Sequence, residues 1–166
     1  MVFTYLSPLM TSVTRVTEAA VSLALMLFGL ATVIGNLVGG RLADRLGTRR
    51  ALTLVLIGLA LSLTTLPFAA SHVGAMFVNL FAWGVFAFAL SPIVQAGVVA
   101  TAETEAPDAV GTASGFNIAA FNLGIAAASS VGGLLVAGPG LLATPWAALV
   151  AVLVALALVQ RIRATA

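Results

Sequence analysis

The chain has 166 residues, of which 61% are hydrophobic and only 7% are charged. Because soluble domains carry about a quarter charged residues, this composition excludes a water-soluble globular protein. Its apolar residues form long continuous runs instead of alternating with polar ones, which predicts an all-α integral membrane protein.

The chain has seven basic residues, all of them arginines, five acidic residues and no cysteine. The charges lie near the ends of the apolar runs, so the isoelectric point of about 10.5 does not indicate nucleic-acid binding. Without cysteine, disulfides and thiolate metal sites are excluded. The sequence shows no catalytic set, metal-ligand spacing or phosphate-binding loop. We therefore predict no enzyme, no metal and no cofactor.

The apolar runs predict the helices. Residues 1–14 are too short to cross a bilayer, since a span needs roughly 20 residues. We expect them to be the last part of a first helix that begins in a longer protein. Full spans are predicted over 19–40, 51–68, 73–100, 112–137 and 143–160. With the partial helix, the chain would hold six helices in one transmembrane half-domain, 1–166.

Four of the seven arginines lie between the first two full spans, in the segment 40–50. A cluster of arginines between apolar runs predicts a cytoplasmic loop, because basic residues accumulate on the inner side of membranes. Alternating the spans from this loop places His72 outside and both 101–111 and the C-terminus in the cytoplasm.

The order of residues in this segment is specific, with the pattern Gly-x-x-x-Asp-Arg-x-Gly-x-Arg-Arg. It resembles the signature loop of the major facilitator superfamily of secondary transporters. The resemblance implies a loop between the second and third helices of a six-helix half. It also implies a conformational switch, in which the first glycine lets helices approach and the charges form a relay with a neighbouring helix. The switch residues would be Gly40, Asp44, Arg45, Gly47, Arg49 and Arg50. Thr48 stands where the family often has a basic residue, which predicts a weaker relay.

Two further elements favour the C-terminal half of a twelve-helix facilitator. Phe3-Thr4-Tyr5-Leu6-Ser7-Pro8 and Ala120-Phe121-Asn122-Leu123-Gly124 resemble elements of bacterial drug and sugar efflux permeases. Each half of the family's fold contains an inverted 3+3 repeat. An eleven-residue spacing that occurs twice, Phe28 to Gly39 and Phe121 to Gly132, agrees with such a repeat.

The resemblance implies a function for the intact protein. It would export small organic molecules such as drugs or sugars from bacteria by alternating access, as a proton antiporter in the inner membrane. No predicted span carries a titratable side chain in its interior, so protons would couple through the missing N-terminal half. Its partners would be that half, the lipid bilayer, protons and a small-molecule substrate. Two alternatives stay open: a non-transporting helical scaffold or assembly partner, and a half-size transporter that acts as a dimer.

Polar and aromatic residues inside the spans are the candidates for a substrate cavity. They are Tyr5, Phe81, Phe88, Gln95, Asn117 and Asn122. The two asparagines point about 140° apart on a helix, and Asn117 shares its face with Phe121, Gly124 and Ala128. As alternatives, the amides would hydrogen-bond neighbouring helices and the aromatic rings would pack against protein or lipid.

Small residues predict where helices pack closely. The candidates are Gly35, Gly39, Gly124 and Gly132. Spans 51–68 and 143–160 have almost nothing polar in their middles, so we expect them to face lipid. The other three full spans carry the glycines, the amides and most of the aromatic residues, and we expect them to face protein or a cavity.

Overall fold

A computed structural model describes residues 2–161, which form helices joined by short turns. The tail beyond Arg161, which contains Arg163, lies outside the described residues. A 3-10 turn at Phe3–Tyr5 leads into α1, and a second one at Pro107–Ala109 precedes α4. The helices are α1 (Leu6–Ser12), α2 (Glu18–Ala69), α3 (Val73–Glu105), α4 (Val110–Ala137) and α5 (Ala143–Val159).

Three segments, Glu18–Ala69, Val73–Glu105 and Pro107–Ala137, are long and apolar enough to cross a membrane. The all-helical membrane class is thereby confirmed. The count of six helices and the inverted repeat stay predictions.

The long helix α2 contains two of the predicted spans and the segment between them. Its one non-helical residue is Gly47, with φ 74° and ψ 159°. Glycine adopts a positive φ without steric cost because it has no Cβ, so the chain turns sharply there. We call the two parts α2a (18–46) and α2b (48–69). The expected loop over 40–50 is therefore wrong in extent, since arginine, leucine and alanine are good helix formers and leave only Gly47 to break the helix.

Two glycines of α2a allow its backbone to approach that of α3. A Cβ built on Gly35 would lie 2.5 Å from the carbonyl oxygen of Val85. One built on Gly39 would lie 2.8 Å from Cα of Ala89. Real Cβ atoms do not come this close to backbone, so only glycine permits this crossing. Gly40, to which the resemblance assigns helix approach, has no described atom within 4 Å of such a Cβ.

Helix α2b supplies much of the apolar core. Its buried face includes Leu52, Val55, Leu59 and Leu63, which belong to two clusters shared with α3 and α5. The opposite face is exposed and carries Leu54, Ile57, Leu61 and Phe68. The expectation that span 51–68 faces lipid therefore holds for only one of its sides.

Helix α4 is the least covered of the long helices. Gly132 is its one buried residue among those described. Phe116, Leu123 and Leu134 are exposed over 74%, 72% and 76% of their surfaces. The expectation that this span faces protein or a cavity is met only on the side toward α3, and the rest of α4 has no cover from residues 2–161.

A buried amide joins α3 to α2b. Asn79 Nδ2 donates to the carbonyl oxygen of Ser62 at 3.1 Å and to Thr65 Oγ1 at 2.7 Å. Polar groups inside a membrane protein need such internal partners because lipid offers none.

Arg49 connects the start of α2b to the end of α5. Its Nη2 donates to the carbonyl oxygen of Gln160 at 3.1 Å and to Gln160 Oε1 at 3.4 Å. Gln160 Nε2 in turn donates to Thr53 Oγ1 at 3.3 Å. Gln160 is the C-cap residue of α5, and the last carbonyls of a helix carry partial negative charge that a guanidinium stabilises.

The crossing of α2a and α3 predicts opposite effects for two glycine substitutions. Gly39→Ala should lower the free energy of unfolding by about 1–3 kcal/mol, because its methyl group meets the backbone of Ala89. Gly29→Ala should be neutral or stabilise by up to about 1 kcal/mol, since a Cβ there meets nothing within 4 Å. Unfolding of the full-length protein in mixed micelles measures both, and equal effects would contradict the crossing.

The contact of Arg49 with α5 predicts a difference between neighbouring arginines. Arg49→Gln should lower stability by about 0.3–1 kcal/mol, the usual worth of a cation at a helix C-terminus. It should also speed hydrogen exchange at the end of α5. Arg50→Gln removes the same charge from an exposed side chain that makes no hydrogen bond to α5 within residues 2–161, and it serves as the control. Equal exchange in the two variants would show that the contact contributes nothing.

Candidate functional site

The 3-10 turn at Phe3–Tyr5, α2a, α3 and α4 line a cavity of about 590 Å³ that is open on one side. The crossing at Gly35 and Gly39 holds two of its walls together. The cavity is lined by Phe3, Thr4, Phe28, Trp83, Ala87, Phe88, Asn117, Ala120, Phe121, Gly124, Ile125 and Ala128. None of these lining residues is charged.

Helix length predicts that the cavity lies near the middle of the membrane, if each helix begins at the membrane boundary. Phe28, Trp83 and Phe121 come ten or eleven residues after the first residue of their helices. At 1.5 Å per residue, that places them about 15 Å along each helix, which is half of a hydrocarbon core about 30 Å thick.

Four aromatic residues, Phe3, Phe28, Trp83 and Phe88, form one side of the cavity, which we call the aromatic wall. The Phe28 ring centroid is 4.9 Å from that of Phe3, 5.1 Å from Trp83 and 5.8 Å from Phe88. The Phe28–Phe88 pair is edge-to-face, with 78° between the ring planes. Such pairs stabilise each other beyond simple burial and present a broad apolar surface.

Helix α4 forms the facing side. Asn117, Phe121, Gly124 and Ala128, which helical spacing predicts to share a face, all contribute to the lining. Asn117 Nδ2 donates to Gln95 Oε1 of α3 at 2.6 Å. Asn117 therefore combines the two alternatives left open by the sequence, an interhelical hydrogen bond and a place on the cavity. Gln95 holds Asn117 but is not itself part of the lining.

The structure does not bring the remaining cavity candidates to the lining. Tyr5 donates its hydroxyl to the carbonyl oxygen of Ser129 at 3.3 Å, and Thr4 Oγ1 lies 3.1 Å from Ser129 Oγ. These bonds tie the 3-10 turn to α4 beside the cavity. Phe81 is half-buried and Asn122 is exposed, both away from the lining. Their role in a cavity stays a prediction without a contact that supports it.

The surroundings of the packing glycines predicted in α4 also differ from those of Gly35 and Gly39 in α2a. Gly124 lines the cavity, and a Cβ there would meet no described atom within 4 Å. Gly132 is buried. Its neighbour Gly133 faces Tyr5, whose hydroxyl oxygen would lie 3.0 Å from a Cβ at that position.

Sequence reasoning missed Phe3 and Phe28 as lining residues. A signal for Phe28 was present, because the buried positions of α2a recur at spacings of three and four residues. They are Val21, Ala24, Phe28, Ala31, Gly35 and Gly39. Phe28 thus shares the face of the two packing glycines. Nothing local in the sequence pairs it with Trp83, which is 55 residues away.

The switch candidates lie around the break at Gly47, beyond the cytoplasmic end predicted for the spans. Asp44, Arg45 and Arg50 are exposed. Within residues 2–161 the structure shows no ion pair of Asp44, and the charge relay stays a prediction. Thr48 packs on α3, since a Cβ on Gly97 would lie 2.6 Å from Thr48 Cγ2. The threonine found at the family's basic position is therefore a packing residue here.

Comparison with known proteins identifies the family to which this sequence is similar. The sequence matches the family model described as Major Facilitator Superfamily over residues 1–165. It is 41% identical over 145 residues to the uncharacterized MFS-type transporter YtbD of Bacillus subtilis, covering 87% of this chain and 36% of that protein. It is 38% identical over 136 residues to the inner membrane transport protein YdhP of Escherichia coli K12, covering 81% of this chain and 33% of that protein.

The chain spans about a third of the length of these curated relatives. No solved structure matches it. Since the family match covers nearly every residue and three segments are long and apolar enough to cross a membrane, the chain is a multi-pass membrane protein that belongs to the major facilitator superfamily.

Proposed function

We propose that the chain is part of a transporter that exports small organic molecules across the bacterial inner membrane by alternating access. The observation that carries the proposal is the mostly apolar cavity between α2a, α3 and α4, which helix length places at mid-membrane depth. Transporters built from repeated helical units place their substrate sites at that depth. Two relatives, named as a transporter and as an inner membrane transport protein, also support a role in transport.

The cavity is open on one side and needs a second wall. Helix α4 also carries large exposed apolar residues, including Phe116, Leu123 and Leu134. In the proposed transporter an N-terminal six-helix half covers these surfaces, and the two halves rock against each other around the cavity. The chain would then be the C-terminal half, with its C-terminus in the cytoplasm.

Transport is proposed to be driven by proton antiport. The charged residues of the described chain lie near helix ends, and none lines the cavity. A proton relay needs a titratable group within the membrane, so the coupling residue is assigned to the N-terminal half. The segment 40–50 acts as the switch that links the two states, with Asp44 as its central charge.

A half-size transporter acting as a dimer is the second candidate, because a second copy could cover the same exposed face of α4. Disulfide crosslinking through Leu123→Cys would separate the two. A disulfide-linked homodimer that keeps transport activity supports the dimer. No homodimer, with a disulfide formed instead to a cysteine introduced into an N-terminal half, supports the twelve-helix protein. A non-transporting scaffold is disfavoured, since it has no need for an open cavity at mid-membrane depth.

The proposed switch predicts a selective loss of transport. In the full-length protein, Asp44→Asn should slow export about 5- to 150-fold, the range of typical coupling free energies between sites. Glu103→Gln removes an acidic charge from the end of α3 without touching the segment 40–50, and it should transport normally.

The measurement uses energised inside-out vesicles and a pH-sensitive dye, so that an antiported compound reveals itself by dissipating the proton gradient. Neutral aromatic compounds, cationic dyes and sugars are tested in turn. If no compound in any class affects the gradient or is accumulated, the proposed export is contradicted. If Asp44→Asn exports at the normal rate, the switch assignment is wrong while export stands.

A further inference from the structure

We propose, on the basis of the function proposed above, that the cavity selects uncharged aromatic compounds that carry a hydrogen-bond donor. Asn117 would be the residue that selects them, and Gln95 the residue that positions it. Three observations support this substrate class: the hydrogen-bonding state of Asn117, the lack of charge in the lining, and the aromatic wall.

Polar atoms in the lining belong to three side chains, those of Thr4, Trp83 and Asn117. The hydroxyl of Thr4 is already engaged with Ser129 Oγ at 3.1 Å, and the indole N–H of Trp83 can only donate. Asn117 is therefore the lining side chain with a free oxygen that can accept a hydrogen bond from a molecule in the cavity. Mostly apolar pockets use a few such groups to orient their ligands.

The hydrogen bond to Gln95 determines which atom Asn117 offers. An asparagine amide has two N–H donors and one oxygen acceptor. One N–H of Nδ2 is donated to Gln95 Oε1 at 2.6 Å, which fixes the orientation of the amide and leaves Oδ1 as its acceptor beside the second N–H. No hydrogen bond to Asn117 Oδ1 is present within residues 2–161. A molecule that donates an O–H or N–H bond to this oxygen gains an interaction that an otherwise identical molecule cannot make.

Within residues 2–161 the lining has no charged residue, so this part of the cavity offers no counter-charge to an ionic substrate. Moving a cation or an anion from water to mid-membrane depth is costly unless an opposite charge receives it. Aromatic faces attract cations as well as flat rings, so the wall by itself accepts both. A flat uncharged ring stacks on it without losing ionic hydration, whereas a cation loses that hydration and meets no counter-charge among the described lining residues.

Three bicyclic compounds of similar size test the proposal. They are 2-naphthol, which is neutral and has a donor, 2-methoxynaphthalene, which is neutral without a donor, and N-methylquinolinium, which is a cation. Binding to the full-length protein in lipid nanodiscs is followed by quenching of Trp83 fluorescence. The signal is assigned by its loss in Trp83→Phe and corrected with empty nanodiscs.

The wild-type protein should bind 2-naphthol about 3- to 10-fold more tightly than 2-methoxynaphthalene, the net worth of one hydrogen bond. N-methylquinolinium should bind most weakly. Asn117→Leu should remove the preference between the two neutral compounds. Gln95→Met should reduce that preference while binding of 2-methoxynaphthalene stays unchanged, which a general loss of structure would not do. Asn122→Leu makes the same chemical change on α4 away from the lining and should keep the preference.

Equal binding of the two neutral compounds by the wild-type protein would overturn the proposal. So would a preference that survives Asn117→Leu, tighter binding of the cation, or no binding of any compound. Selectivity is read here from binding alone, whereas export is judged by the vesicle measurement. Export with no donor preference would overturn this inference only, and selective binding with no export of any compound class would overturn the proposed function only.

Discussion

The close approach of α2a to α3 is the constraint on which the rest of this structure depends. Gly35 and Gly39 place one backbone against Val85 and Ala89 of the other helix, at a distance that no other residue allows. Two turns away on the same face of α2a, Phe28 then lies between Trp83 and Phe88. The aromatic wall is thus a consequence of helix packing, because two small residues bring three large ones into contact. A change at either glycine would act on the cavity without touching its lining.

The two walls of the cavity are held very differently. The α2–α3 pair contributes most of the buried core, whereas α4 has one buried residue among those described. Near the cavity, α4 is joined to the rest of the chain by the bond from Asn117 to Gln95 and by the contacts of Thr4 and Tyr5 with Ser129. Within residues 2–161 the aromatic wall is therefore fixed by the packing of α2a on α3, whereas α4 is positioned mainly by these few polar contacts.

The sequence predicted what depends on local pattern. Long apolar runs located the helices, and helical spacing grouped Asn117 with Phe121, Gly124 and Ala128. Local pattern misplaced the boundary between helix and loop at 40–50, since the arginines that signal the cytoplasm are also good helix formers. It could not identify contacts between distant residues. The bond from Arg49 to Gln160 joins positions 111 apart. The close contact is made by Gly39 and not by Gly40 of the signature pattern. Which of these two adjacent glycines faces α3 depends on the rotation of α2a about its own axis, and a single sequence does not specify that rotation.

The central claim is that the face of α4 containing Asn117 lines the proposed substrate cavity and is reached by water, while the side carrying Ala119 is shielded from water by lipid or by the N-terminal half. The chain contains no cysteine, so single cysteines can be placed at Ala120, on the lining, and at Ala119. The side chain of Ala119 points about 100° away from that of Ala120 around the helix axis. In a full-length protein free of other cysteines, a membrane-impermeant maleimide should label Ala120→Cys, and 2-naphthol should slow that labelling. Ala119→Cys should stay unlabelled, because thiolates react only where water reaches them. Equal labelling at both positions, or none at Ala120→Cys in either transport state, would contradict the account.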